Sequence, residues 1–124
     1  MSFLLINTCQ NESWVALADS QKIIQVERWL TSRVSNDLLE RTERICAGQK
    51  ISKIGVVTGP GGFTSARVGV VLANALAKTW RIPVVGVANV AEPEELYQAV
   101  REQAGEDLTK PFYQYPPHIT TPKK

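Results

Sequence analysis

Apolar and polar positions alternate along this chain in two distinct rhythms. Phe3 to Thr8 is an unbroken apolar run, which suits a strand covered on both faces. Cys9-Gln10-Asn11-Glu12 is short and polar and predicts a turn. Ser13 to Ala18 alternates, with Trp14, Ala16 and Ala18 on one side and Val15 and Leu17 on the other, the two-residue period of a strand. Asp19-Ser20-Gln21 has turn chemistry. Lys22 to Leu30, carrying Ile23, Ile24, Val26, Trp29 and Leu30, predicts a third strand. Strands joined by such short turns form an antiparallel meander, because parallel neighbours need long crossovers.

The period then changes. Thr31 to Asn36 is polar, with Ser35 or Asn36 a helix cap, and a helix is predicted from Asp37 to Ala47. Its apolar positions Leu38, Leu39, Thr42, Ile45 and Cys46 fall within about 120° of arc. One stripe needs one packing partner, by default the sheet, and Gly48 ends the helix. Lys53 to Val57 predicts a fourth strand, and Thr64 or Ser65 caps a helix running to Trp80. In that helix the polar residues Arg67, Asn74, Lys78 and the following Arg81 occupy a stripe only about 60° wide. A helix apolar nearly all round must be buried nearly all round, and one sheet does not cover that circumference. The missing cover is another helix of this chain or another subunit. Either Val68, Val71, Leu72, Ala75 and Leu76 or the opposite stripe Ala66, Val70, Ala73 and Ala77 faces away from the sheet. A charge at either stripe, Leu72→Glu or Val70→Glu, is expected to abolish association with that cover while leaving a soluble fold. Pro83 to Val87 predicts a fifth strand. Pro93 in a first turn with Glu94 and Glu95 opens a last helix, whose apolar face is Leu96, Tyr97, Val100 and Ala104, and Gly105 ends it.

The order β-β-β-α-β-α-β-α predicts an α/β fold: a five-stranded mixed sheet of the ribonuclease H-like, actin-like half-domain type, followed by an extended C-terminal tail. Residues 1–105 form that lobe. Residues 106–124 are a proline-rich tail in which Phe112, Tyr113, Tyr115 and Ile119 are expected to dock as a strap, with the segment after Tyr115 mobile. A length of 124 residues agrees with one domain. The net charge of +2 is too small to argue for direct nucleic-acid binding. No apolar run approaches the ~20 residues that cross a bilayer, and the first residues lack the basic start of a signal peptide. Cys9 and Cys46 lack metal-binding spacing and suit reduced thiols in a cytoplasmic protein. His118 is the only histidine, which argues against a metal site built on histidines.

Candidate chemistry is concentrated between the fourth strand and the long helix, at Thr58, Gly59, Pro60, Gly61 and Gly62, with Thr64 and Arg67 just beyond. Proline and glycine allow a sharp reversal there, and unpaired N–H groups at a helix start can hold a phosphate. A tight connection without ligand explains the same residues. The stretch is neither a Walker loop nor the dinucleotide Gly-x-Gly-x-x-Gly fingerprint. Nucleases of this architecture hold two metal ions with strand carboxylates, whereas the first strand here has Asn7 and the fourth has no carboxylate.

The segment Gly59-Pro60-Gly61-Gly62-Phe63-Thr64-Ser65-Ala66-Arg67-Val68-Gly69 resembles the Gly-Pro-Gly-Ser-Phe-Thr-Gly-Leu-Arg-Ile-Gly signature of the bacterial TsaB (YeaZ) family. Leu5-Ile6-Asn7-Thr8-Cys9 resembles that family's Ile-Asp-Thr-Ser opening, and Ile82 to Val87 resembles the strand after its signature helix. The likeness runs from Met1 to Glu95. It implies an actin-like scaffold without catalytic residues, which supports a paralogous TsaD-type enzyme. With a TsaE-type ATPase, that enzyme places threonylcarbamoyl on adenosine 37 of tRNA. The metal-binding His-x-x-x-His pair of the enzyme is missing here. The implied interface is helical, with Leu38, Leu39, Thr42, Ile45, Val68, Val71, Leu72, Ala75 and Leu76 as its candidates, toward the paralogue or a second copy of this chain. Contact with tRNA is then indirect and membrane contact is not expected. No cofactor is expected on the chain alone; ATP or ADP with magnesium is expected only within the complex. The sequence departs from the family at Asn7 for Asp, Gly62 for Ser, Ser65 for Gly and Ala66 for Leu. Asn7 cannot supply a charge near magnesium. Members of the family carry a second lobe, whereas here Pro111 to Ile119, similar to their closing Pro-x-Tyr-x-x-x-Pro segment, follows almost at once. The expectation is a first lobe with a terminal strap, lacking a two-lobe nucleotide cleft of its own.

Overall fold

A computed structural model describes residues 2–10, 12–30, 34–59 and 64–102. Its elements are β1 (Ser2–Asn7), β2 (Glu12–Asp19), β3 (Ile23–Leu30), α1 (Val34–Cys46), β4 (Ile51–Gly59), α2 (Thr64–Trp80), β5 (Val84–Ala88) and α3 (Pro93–Glu102). They form one five-stranded sheet in the order β3-β2-β1-β4-β5. β1 pairs antiparallel with β2 and parallel with β4. β2 and β3 are antiparallel, and β4 and β5 are parallel. This is the mixed α/β sheet that the order of elements implies. The tail from residue 106 and the expected strap lie outside the described residues.

Most element bounds differ from the sequence reading by one or two residues, and two shifts change what the residues do. α1 starts at Val34 rather than Asp37, so Ser35 and Asn36 lie inside the helix instead of capping it. Their modest helix propensity is outweighed by the packing of the turns that follow. β4 continues to Gly59 because the pairing with β5 resumes after an irregularity at Thr58, with Gly59 opposite Ala88.

The alternation seen in β2 sorts side chains into two cores. Leu4, Ile6, Val15, Leu17, Ile54 and Val56 point to one face and meet Leu38 and Ile45 of α1 and Val70, Ala73 and Ala77 of α2. Phe3, Leu5, Trp14, Ala16, Ala18 and Val57 point to the other and meet Leu96, Tyr97 and Val100 of α3. β1 and β4 are apolar on both faces because helices cover both.

Polar contacts fix the helices on this frame. Glu95 accepts hydrogen bonds from the main-chain N–H groups of Ala91 (3.1 Å) and Glu92 (3.0 Å), closing the first turn of α3. These bonds hold its carboxyl below the usual glutamate range. At the other end, Lys53 is only 4% exposed, and its Nζ donates to the Val100 carbonyl at 3.1 Å. A cation on a late carbonyl satisfies the negative end of the helix dipole. Tyr97 Oη donates to the Asp19 carbonyl at 2.9 Å, tying α3 to the end of β2.

α1 is held at the β3 edge by charge. Glu27 accepts from Arg44 Nη2 at 2.9 Å and from Arg41 Nη1 at 3.4 Å, and the Arg41 guanidinium sits 5.0 Å from the Trp29 ring centroid. The hydrogen bond from Arg44 is the main reason that Glu27 titrates below the usual 4.5. A carboxyl lowered by folding contributes stability that is present above the unfolded pKa and lost as pH falls through the folded one. Glu27→Gln is therefore expected to cost about 1 kcal/mol at pH 7. The gap between variant and wild type should close as pH drops through and below 4.5, the usual glutamate value. Urea melts at several pH values measure this; a gap that persists unchanged into strong acid would assign the loss to packing rather than charge.

Candidate functional site

Parallel and antiparallel pairing meet at β1, so the carboxyl ends of β1, β4 and β5 lie beside a topological switch, the usual ligand position in such sheets. β4 ends at Thr58, which is buried, and Gly59, whose φ of 154° favours glycine. The Asn89 N–H donates to the Gly59 carbonyl at 2.6 Å, and Asn89 itself has a φ of 64°, a left-handed conformation that asparagine tolerates. Pro60, Gly61 and Gly62 lie outside the described residues. Thr64 opens α2, although its side chain is likewise outside the description. Arg67, one turn further on, is exposed.

The start of α2 lies directly over β1. A Cβ placed on Gly69 would stand 2.5 Å from Thr8 Oγ1 and 3.3 Å from Thr8 Cγ2. Glycine at 69 is thus required by close approach, in the middle of a helix where it is otherwise unfavourable. Gly69→Ala is expected to lower stability by about 2 kcal/mol despite the better helix propensity of alanine. A denaturant midpoint at or above the wild-type value would show that α2 shifts freely.

Sequence reasoning missed what the end of β1 does. Asn7 is fully buried; its Oδ1 accepts from the Cys9 N–H at 2.8 Å, and its Nδ2 donates to Gln10 Oε1 at 2.7 Å and to the Ala91 carbonyl at 3.4 Å. Gln10 Nε2 donates to the Val90 carbonyl at 3.1 Å, and Trp14 Nε1 donates to Ala91 at 3.0 Å. An amide inside an otherwise apolar strand was the available signal. Burial pushes the thiols of Cys9 and Cys46 up to about 11, which leaves them protonated and unreactive at neutral pH.

A second candidate surface lies on the helices. Of the residues proposed from sequence, Leu38, Thr42 and Ile45 are buried against the sheet and belong to the core. Leu39 on α1 is 49% exposed. On α2 the buried arc is Val70, Ala73 and Ala77, which settles which stripe meets the sheet. Val71 is 65% exposed, Ala75 is exposed, and Val68, Leu72 and Leu76 are half-buried along the rim of the core. Trp80, which the sequence reading left undistinguished within the apolar surface, is 39% exposed at the end of α2. Among the described residues, no helix is long and apolar enough to cross a membrane, and no cluster of three or more His, Cys, Asp or Glu is placed to hold a metal.

The family model described as "TsaD: tRNA N6-adenosine threonylcarbamoyltransferase" matches residues 34–107. Among solved structures, YeaZ from Pseudomonas aeruginosa is similar with a TM-score of 0.66 and 24% identity, over 86% of this chain and 53% of that one. A Pseudomonas aeruginosa protein described as uncharacterized, with similarity to peptidase YEAZ, has a TM-score of 0.63 and 25% identity, over 83% of this chain and 49% of that one. The chain thus spans about half the length of the solved structures it matches. No curated protein matches it.

Proposed function

The chain belongs to the TsaD family of tRNA N6-adenosine threonylcarbamoyltransferases, and from that premise we propose that it acts as a non-catalytic partner subunit of the tRNA-modifying assembly, binding a TsaD-type paralogue through α1 and α2. A TsaE-type ATPase joins through the same assembly, and contact with tRNA is indirect. The YeaZ-like fold supports this reading. The single histidine, His118, leaves this chain without a His-x-x-x-His pair of its own, which favours a supporting role over the transfer itself.

The observation that carries the proposal is the outer face of the helical layer. Val71 and Ala75 are exposed in the middle of α2, Val68, Leu72 and Leu76 flank them, and Leu39 stands on neighbouring α1. Scattered single apolar residues on a surface need no explanation, but a continuous stripe along one helix marks a contact. Arg67 and Lys78 are exposed on the same helix and supply a basic edge to it. The stripe fits a partner helix with small or apolar residues on its seam.

Co-expression with the TsaD-type paralogue, followed by sedimentation of the purified material, tests the reading. A stoichiometric heterocomplex is expected. If the two proteins sediment separately at micromolar concentration, the partner role fails; if this chain sediments only with itself, the same face serves a second copy.

A further inference from the structure

We propose that Asn7 and Gln10 form a structural lock joining the end of β1 to the entry of α3, and that the position where the family's aspartate stands near magnesium does not serve a metal-bound nucleotide in this chain. The partners of the two amides leave no freedom in their orientation. The Cys9 main-chain N–H can only donate, so the Asn7 atom facing it is Oδ1. The Ala91 carbonyl can only accept, so the atom facing it is Nδ2. Gln10 follows by the same logic, because Nε2 must face the Val90 carbonyl and Oε1 is thereby presented to Asn7 Nδ2. The Trp14 indole adds a second donor to Ala91.

This arrangement excludes the role a carboxylate would take. Magnesium needs oxygen ligands, either directly or through its waters. Asn7 Oδ1 already accepts from Cys9, and the residue is 0% exposed, so its remaining lone pair is sealed from solvent. Both donor hydrogens are engaged with protein acceptors. An aspartate here would turn an oxygen toward Gln10 Oε1 and the Ala91 carbonyl. Flipping Gln10 relieves the first conflict and creates another, because Oε1 would then meet the Val90 carbonyl. The contact with the Ala91 carbonyl stays mismatched in both, so two acceptor pairs oppose each other in either arrangement, and buried mismatches are costly. The lock thus requires an amide at both 7 and 10.

The inference does not depend on the partner role of the helices. It is tested on the full chain by 15N-resolved spectra of the Asn7 and Gln10 side-chain amides and the Trp14 indole, with a titration of magnesium chloride and ADP. The Trp14 indole proton is expected to exchange slowly, and the amide signals of Asn7 and Gln10 should stay in place during the titration. Asn7→Asp is expected to melt on the order of 10 °C below wild type at neutral pH, with no recovery when magnesium and ADP are added. A saturable shift of the Asn7 amide with magnesium and ADP would overturn the proposal, as would an Asn7→Asp variant that melts at the wild-type temperature. Should that variant not fold, the wild-type signals decide: an indole exchanging at the rate of free tryptophan removes the lock.

Discussion

Val71→Glu should weaken association with the TsaD-type partner by at least ~100-fold while leaving the melting temperature of the isolated chain unchanged. The two halves of that expectation have separate causes. Val71 is 65% exposed, so in the free chain a glutamate there extends into water and disturbs no packing. In a complex formed over the α2 stripe, the same carboxylate is buried in the apolar centre of the contact without a partner. Removing an unpaired charge from water costs several kcal/mol, and each 1.4 kcal/mol is tenfold in affinity. Val70→Glu, one position earlier, is not an equivalent probe. Val70 is 4% exposed and packs on the sheet with Ala73 and Ala77, so a charge there unfolds the domain rather than detaching a partner. Sedimentation velocity of the mixed proteins, with a thermal melt of each variant, separates the two outcomes. Unaltered association of Val71→Glu would move the contact off α2.

Much of this fold was legible because burial repeats with the period of the backbone. In β2 the split of Trp14, Ala16 and Ala18 from Val15 and Leu17 corresponds directly to the two cores on opposite faces of the sheet. The relative directions of the strands follow from connection length, since short turns force antiparallel pairing and a helical crossover allows parallel pairing, whereas the placement of β4 beside β1 does not. The helical surface was legible only in part. An apolar circumference wider than one sheet shows that α2 needs further cover, but the arc that meets the sheet depends on how the helix rotates as it docks. Gly69 against Thr8 is one such determinant, and nothing in a one-dimensional pattern reports it. The α1 stripe illustrates the converse: Leu38, Thr42 and Ile45 are consumed by the sheet, and only Leu39 of that group remains on the outside.

The lock at Asn7 was illegible for a different reason. Its partners come from Gln10 three residues on and from Val90 and Ala91 more than eighty residues on. A departure from a family signature reads as loss of a function when only the residue itself is seen. Once its hydrogen bonds are known, the same asparagine has a role of its own, and the carboxylate it replaces would not fit among these partners. The loop from Asn89 to Glu92 is therefore held from both sides, by Asn7 and Trp14 at Ala91 and by Glu95 at the start of α3.

Gly55→Val is expected to cost 3 kcal/mol or more, roughly the upper end for overpacking a core, and so a large part of the ~5–15 kcal/mol that holds a domain of this kind together. Glycine in the middle of β4 is unfavourable by propensity, and a β-branched replacement would gain at most about 1 kcal/mol from that source. Packing decides against it. A Cβ built on Gly55 falls within the Val100 side chain and lies 3.1 Å from Leu5 Cδ2. Neither neighbour can yield easily, since Leu5 and Val100 are both fully buried in the core between the sheet and α3. The helix must lift, which exposes Leu96 and Tyr97 and stretches the Lys53 bond to the Val100 carbonyl. Urea denaturation measures the loss, and a double-mutant cycle identifies its cause. Gly55→Ala and Val100→Ala should each destabilise the protein alone, one by overlap and the other by a cavity. Together they should lose about 1 kcal/mol or more less than the sum, because the new methyl fills the space that Val100 vacates. Strict additivity would mean that α3 does not rest on Gly55, and the close approach that sets its position on the sheet would have to lie elsewhere.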